Sequence, residues 1–441
     1  MKQTGSGRTI SVTIDNLNSD GQGVARSGRD IYFVPGALPG ETVTARLLQR
    51  SKKIWHTRLV SIENASEDRV TPACPHYQRC GGCDLQHMNY AAQVAFKQAR
   101  VERELQRQKV PVESWVEPIT GPEWHYRRKA RIGVRFSKEQ QQNFVGFRES
   151  GSKHITDIDH CAVLPDNPAL DWAQWRDLIG ELNAASLITQ IEPVIADNAL
   201  LFLLRVLKPL QDDDINRLSA QFSAWAEASD RPLQLWIRTE KGAAPEAIWP
   251  ASELEPIWHD VEGLKLQIRP DDFIQVNRTV NRSMVAQALS WLNPADDEHI
   301  WDLFAGHGNF SMPLAERSRH VTAIEGQASM TASLSAQAEK LALPLQAICA
   351  DLAADGTLSA LPAPDAVLLD PPRAGAAAVM PELIRRRVAR VLYVSCDAAT
   401  LARDLSVLTA AGYKVVNAGI MDMFPQTHHV ETMVMLEYRG K

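Results

Sequence analysis

The chain has 441 residues, which exceeds one ordinary hydrophobic core and predicts two or three domains. A composition that is 45% hydrophobic and 23% charged excludes a disordered tail or a fibre, and a net charge of -6 gives no overall sign of a polyanionic partner. The first residues, MKQTGSGRTI, hold no apolar signal core and no later apolar run reaches membrane-spanning length, so a cytoplasmic protein without membrane contact is expected.

The charge is unevenly spread. Residues 1–153 carry 24 Lys+Arg against 15 Asp+Glu, while the remainder carries 23 against 38, so a polyanion is expected at the front half. Two acid-free clusters stand there. Arg46, Arg50, Lys52, Lys53 and Arg58 surround Trp55, and Arg127, Arg128, Lys129, Arg131 and Arg135 follow His125 and Tyr126. Cations supply affinity for a phosphate backbone and rings stack on unpaired bases. Either cluster alone also reads as solvated surface.

Taken in chain order, residues 9–62 alternate apolar and polar positions in short runs broken by Gly and Pro, which predicts a small antiparallel β-barrel. Within it, the DGQGVAR and VPGALPGE turns resemble those of a TRAM domain, an OB-like RNA-binding module, which implies a barrel over residues 1–68. Next comes CPHYQRCGGCDLQH, where Cys74, Cys80 and Cys83 are spaced across a Gly-rich loop and Cys161 is a candidate fourth member. Four thiolates suit zinc or an iron–sulfur cluster, and spacing leaves both open. Residues 93–109 predict a charged amphipathic helix. The stretch to 270 mixes short strands and helices, with the tryptophans of LDWAQWRDL expected to pack, and residues 69–270 are taken as a second, α+β domain.

From 271 to 441, strand-like runs alternate with helical segments in the manner of an open α/β sheet. Asp302, Gly306, Gly308, Glu325, Asp351, Asp370 and Cys396 fall at the carboxyl ends of successive strands, where such sheets bind ligands. AGHGNFS is also compatible with a dinucleotide loop, but Asp302 precedes it where a phosphate would meet negative charge. S-adenosylmethionine carries a sulfonium and suits that acidic cleft, with Glu325 on the ribose hydroxyls and Asp351 near the adenine. Cys349, in LQAICADL, reads as inert packing. Cys396, between Ser395 and Asp397 and just before a helix, is expected at a cleft edge with its pKa lowered by the helix N-terminus. A thiolate of this kind activates uracil C5 by adding to C6, after which a base removes the C5 proton. Glu431 is the candidate base, although its spacing alone also fits an ordinary strand-edge carboxylate.

FIQVN at 273–277, DLFAGHGNF, DPPRAG, SCDAATLARDL and FPQTHHVETM resemble, in order, the motifs of the RNA uridine-C5 methyltransferase family. The resemblance implies a Rossmann-like class I methyltransferase domain at 271–441, preceded by the TRAM barrel and a central α+β domain. It implies that Gln275, Phe304, Asn309, Glu325, Asp351 and Asp370 bind S-adenosylmethionine, that Cys396 is the nucleophile and Glu431 the general base. It also implies that Cys74, Cys80, Cys83 and Cys161 hold a [4Fe-4S] cluster rather than zinc. Ala305 and Ala398 stand where many members have cysteine and proline. The combination of barrel and cysteine loop resembles the branch acting on 23S ribosomal RNA, free or in a pre-ribosomal particle, with transfer RNA or another ribosomal uridine as the alternative, and after these a small-molecule S-adenosylmethionine methyltransferase. A monomer with no obligatory protein partner is expected. No step of the chemistry needs an electron, so the cluster is expected to serve folding or RNA binding.

Overall fold

The computed structural model describes residues 3–4, 7–137, 139–239, 243–252, 254–354 and 356–440. Met1, Lys2 and Lys441, which the expected first and last domains include, lie outside the described residues. No helix among the described residues is long and apolar enough to cross a membrane.

In the first unit, alternation along Thr42–Ser51 sends Val43, Ala45 and Leu47 inward against Val12, Ala25, Tyr32 and Val34. This long strand pairs antiparallel with Thr9–Thr13 on one side and Ile54–Asn64 on the other. Register shifts between Thr42/Val43, Thr44/Ala45 and Leu47/Gln49 bend it, which lets seven strands enclose one small core.

A second seven-stranded sheet runs in the order Ile155–Asp157, Gln142–Arg148, Ile132–Ser137, Ile188–Ile195, Leu200–Val206, Leu233–Arg238, Glu246–Trp249. Its one parallel pairing, Leu200–Val206 with Leu233–Arg238, is bridged by the helix Asp212–Ala228, as a parallel crossover requires. Trp172 and Trp175 are fully buried beneath it beside Phe202 and Phe222, in the packing role expected of them.

The last sheet has eight strands. Counting from His299–Leu303 as the first, the order is third, second, first, fourth, fifth, seventh, sixth: Leu345–Cys349, His320–Glu325, His299–Leu303, Ala366–Leu369, Arg390–Ser395, Glu431–Tyr438, Tyr413–Met421. Only the seventh runs antiparallel to its neighbours. This is the layout of the expected class I methyltransferase domain. His299–Leu303 and Ala366–Leu369 are buried at every position, as strands covered on both faces must be.

The eighth strand comes from the front half. Val112–Trp115 adds to the edge beside Tyr413–Met421, and the helix Tyr90–Arg107 lays Val101 and Leu105 into the same core. Residues 90–115 therefore belong structurally with the methyltransferase sheet, although the expected division placed them in 69–270. The helix starts where Asn89 accepts a hydrogen bond from the Ala92 amide, and its buried stripe is Gln93, Lys97, Val101, Leu105, spaced one turn apart. Two of those four are polar, and both reach across to the C-terminal loop 422–430.

Candidate active site

The strand order reverses between His299–Leu303 and Ala366–Leu369, and a crevice opens at their carboxyl ends. Asp302 is buried in the first strand and Asp370 follows the fourth. Burial pushes both carboxyls up to about 7, and at Asp302 the neighbouring Asp370 and Glu325 add to the effect while a hydrogen bond from Ser311 opposes it. The second oxygen of Asp302, Oδ1, is buried without a protein partner. Three convergent carboxylates and an unpaired buried acceptor suit a ligand that brings positive charge and hydrogen-bond donors.

The loop after Asp302 is shaped by its dihedrals. Phe304 sits at φ +67°, an uncommon conformation for an aromatic residue, while its amide and that of Ala305 donate to Ile324 O at 2.9 and 3.0 Å. Gly308 is at φ +99°, and a Cβ there would stand 2.6 Å from Leu334. Gly306 is at φ +58° with nothing within 4 Å of the equivalent position, so space beside the loop is open. Glu325 ends the second strand and accepts from the amides of Gly306 (3.0 Å) and Gln327 (2.8 Å), leaving each oxygen one further lone pair for a ligand.

Other expected cofactor residues are placed less uniformly. Asn309 is buried and exchanges two side-chain hydrogen bonds with Asn281, at 2.9 and 3.0 Å, so its amide ties the loop to the helix Arg278–Leu292. Asp351 is exposed and caps its own turn by accepting from the Ala353 amide. Gln275 is half-buried in the segment leading into that helix. Cys349 is not packed, as its apolar context suggested, but exposed at the end of its strand.

Cys396 and Glu431 lie at the ends of adjacent antiparallel strands and line one cavity of about 870 Å³ together with Arg373, His428 and His429. The expected lowering of the Cys396 pKa is reversed. Burial pushes the thiol up to about 11, Glu431 and Asp370 add to this, and Arg373 and a backbone N–H at Cys396 itself oppose it. The helix N-terminus does not offset this because Asp397 is its cap: the Asp397 carboxylate accepts from the amides of Ala399 (3.1 Å) and Thr400 (2.9 Å), which occupies two of its free donors. Glu431 is no exposed strand-edge carboxylate. It is buried, and burial followed by the charge of Asp370 holds its carboxyl well above the usual range, opposed by Arg373.

The same cavity extends to the cysteine loop, so that Cys74, Cys80, Cys83 and Cys161 line it together with Cys396. Burial pushes Cys83 up to about 12 and Cys161 up to about 11, with other thiols of the group adding to both. Among the described residues, no three such side chains converge closely enough to hold a single metal ion.

The two basic clusters part company. Arg46, Lys52, Lys53 and Arg58 are exposed, and Arg50 is paired with Asp30 beside Trp55. In the second cluster, Tyr126 and Arg128 are buried, contrary to a nucleic-acid contact. Arg128 donates to Ile195 O (3.1 Å) and lies 3.5 Å from Asp197, and Lys129 bonds the carbonyls of Pro270 and Asp272. Arg131 and Arg135 remain exposed. Three contributors were missed in the sequence: Asn281, Ser311 and Arg373. For Arg373 the signal was available, since a cation directly after Asp-Pro-Pro at a strand end faces the same cleft as the acids.

The TRAM domain profile matches residues 3–53, and the profile of the tRNA (Uracil-5-)-methyltransferase family matches residues 358–439. A solved structure, the tRNA (uracil-54, C5)-methyltransferase of Pyrococcus abyssi in complex with S-adenosyl-L-homocysteine, is similar over 97% of this chain and all of its own, with a TM-score of 0.74 and 22% identity, which establishes the fold. The proteins named 23S rRNA (uracil(1939)-C(5))-methyltransferase RlmD from Shewanella sp. strain ANA-3 and Shewanella amazonensis are 39% and 40% identical, across 97% of this chain and 95% of each of theirs. On that likeness along nearly its whole length, the chain belongs to the S-adenosylmethionine-dependent RNA (uracil-C5)-methyltransferase family.

Proposed function

We propose that the protein methylates C5 of a uridine in 23S ribosomal RNA, the substrate named for its relatives, through a covalent bond between Cys396 and uracil C6. The observation that carries this reading is the placement of Cys396 and Glu431 on one cavity wall beside a cleft of three carboxylates. The Cys396 thiol loses its proton to solvent and the sulfur adds to C6, so that the C5–C6 π pair becomes an enolate with C5 nucleophilic. S-adenosylmethionine, when bound, supplies the methyl group that C5 takes up. Glu431 in its carboxylate form, which Arg373 favours, then removes the C5 proton, and the electrons of that bond restore C5=C6 and expel the Cys396 thiolate. A carboxylate whose pKa is raised by burial is a stronger base than a solvated one. The uridine must leave its stack for the thiol to reach it.

The donor is assigned to Gln275, Phe304, Asn309, Glu325, Asp351 and Asp370. The open space at Gly306 and the unpaired Asp302 oxygen support a ligand there, and the acidic lining supports a sulfonium. Asn309, already paired with Asn281, has one N–H and one lone pair left for it.

Cys74, Cys80, Cys83 and Cys161 are assigned to a [4Fe-4S] cluster. A single zinc needs all four sulfurs at about 2.3 Å from one point, whereas a cluster is ligated at separated corners. The four thiols line one cavity, and the likeness of the cysteine loop to that of the family favours the second. The exposed cations of the barrel are assigned to the RNA backbone, and the protein is read as a cytoplasmic monomer.

The test uses 23S and transfer RNA carrying 5-fluorouridine, incubated with S-adenosylmethionine and run on a denaturing gel. Fluorine replaces the proton that Glu431 would remove, so the enzyme stays bound to its RNA. An adduct on 23S RNA that Cys396→Ala abolishes is expected. Adduct on transfer RNA alone overturns the substrate, and adduct on neither overturns the nucleophile.

A further inference from the structure

The nine residues Asp422–Val430 link the strand Tyr413–Met421 to Glu431 without regular structure of their own, and side chains from residues 84–126 hold them at three places. At the start, Lys97 Nζ donates to Asp422 Oδ1 (2.6 Å) and Phe424 O (3.0 Å), and the Tyr126 hydroxyl donates to Pro425 O (3.0 Å). In the middle, the Gln93 side chain donates to Gln426 Oε1 (3.0 Å) and accepts from the Gln426 amide (3.0 Å), while the amides of Asp84 and Leu85 both donate to Gln426 O at 3.0 Å. At the end, Asp84 accepts the His428 amide at Oδ1 (2.7 Å) and meets His428 Nδ1 with Oδ2 (2.6 Å), and Arg100 donates to His428 O (2.9 Å). Asp84 adjoins Cys83, and His428 lies three residues before Glu431.

We infer that Asp84 is a positioning residue for the general base: through its two contacts to His428 it fixes the approach of the chain to Glu431, so the cysteine loop shapes the active site as well as any RNA surface. This rests on the proposed role of Glu431. The Asp84–His428 pair is partly exposed, with side-chain accessibilities of 39% and 22%, so its ion-pair energy is small and its consequence is geometric. A carboxylate that takes both the backbone and the ring of one residue fixes position and orientation together. Gly21 closes the arrangement from the barrel side, where an added Cβ would stand 2.6 Å from Leu85 and 3.7 Å from His428.

The experiment separates the base step from the steps before it. Asp84→Ala, His428→Ala and Glu431→Gln are each given ordinary RNA and methyl-labelled S-adenosylmethionine in single turnover, and each is also given 5-fluorouridine RNA. Asp84→Ala is expected to form the fluorouridine adduct at close to the wild-type rate but to release methylated RNA about tenfold to a hundredfold more slowly, with labelled covalent protein–RNA complex accumulating. Equal slowing of both reactions, or release at the wild-type rate, overturns the inference. Should Asp84→Ala melt well below the wild type, His428→Ala decides, since it keeps the backbone contact. Accumulation of complex then supports the inference and its absence overturns it. If Glu431→Gln itself accumulates no complex, the assignment of the base has failed rather than its positioning.

Discussion

Lys97 and Asp422 meet at 2.6 Å with neither side chain exposed, joining the helix Tyr90–Arg107 to the loop that leads to Glu431. Burial lowers the Lys97 pKa while Asp422 opposes that shift, so the pair stays charged only as a pair. Lys97→Ala leaves a carboxylate unpaired and is expected to cost about 3–5 kcal/mol in urea unfolding. Lys97→Met combined with Asp422→Leu should cost less than either single change, because no buried charge is then left alone. A single-variant cost near that of surface pairs, below about 1 kcal/mol, would show that water reaches the site.

Cys396 should behave as an unactivated thiol in the free enzyme. With its pKa pushed up to about 11, the reactive thiolate increases with pH, so alkylation by iodoacetamide should quicken about tenfold per pH unit from about pH 7 to 10. Arg373→Ala removes the charge that favours the thiolate and should shift the curve to higher pH. Glu431→Gln removes one that disfavours it and should shift the curve lower. A plateau already reached by about pH 8 would restore the activated thiol that the adjacent helix suggested.

Asp302 and Asp370 give the donor cleft a pH-dependent charge. Both carboxyls titrate near 7, neutral below that pH and ionised above it, so attraction for a sulfonium grows as pH rises through 7. S-adenosylhomocysteine lacks that charge. The preference for S-adenosylmethionine over S-adenosylhomocysteine, measured by calorimetry, should be greater at about pH 8.5 than at about pH 6, and binding of the sulfonium near pH 7 should release protons. An affinity ratio independent of pH would place the sulfonium away from both carboxylates.

The acids of the cleft were legible because an open α/β sheet places the ends of its strands in one crevice, and strand ends can be read from apolar runs. The thiol chemistry was not. The helix after Cys396 was visible in the sequence, but whether Asp397 or the thiol would use its free amides depended on the cap geometry. Tyr126 and Arg128 misled for a related reason, since a run of cations gives no hint of a buried partner such as Asp197, 69 residues further on. The tether between Asp84 and His428 spans 344 residues, and neither residue carries a local signal of the other.

The barrel and the central domain divide the cationic surface, and salt dependence should tell them apart. Arg46, Lys52, Lys53 and Arg58 are exposed, and the register sets Arg46 directly opposite Arg58 on neighbouring strands, where two cations repel unless an anion lies between them. Replacing the four with Ala should weaken RNA binding and reduce the slope of log affinity against log salt by about 0.7–0.9 for each phosphate that is no longer neutralised. The melting temperature should hardly change, because none of the four is buried. Arg128→Ala is expected to do the reverse, lowering the melting temperature through the missing buried bond to Ile195 O and the loss of one of the two cations beside Asp197, which keeps Arg278 at 2.9 Å, while leaving the salt slope alone. A reduced slope in Arg128→Ala with its stability intact would return that residue to the RNA surface.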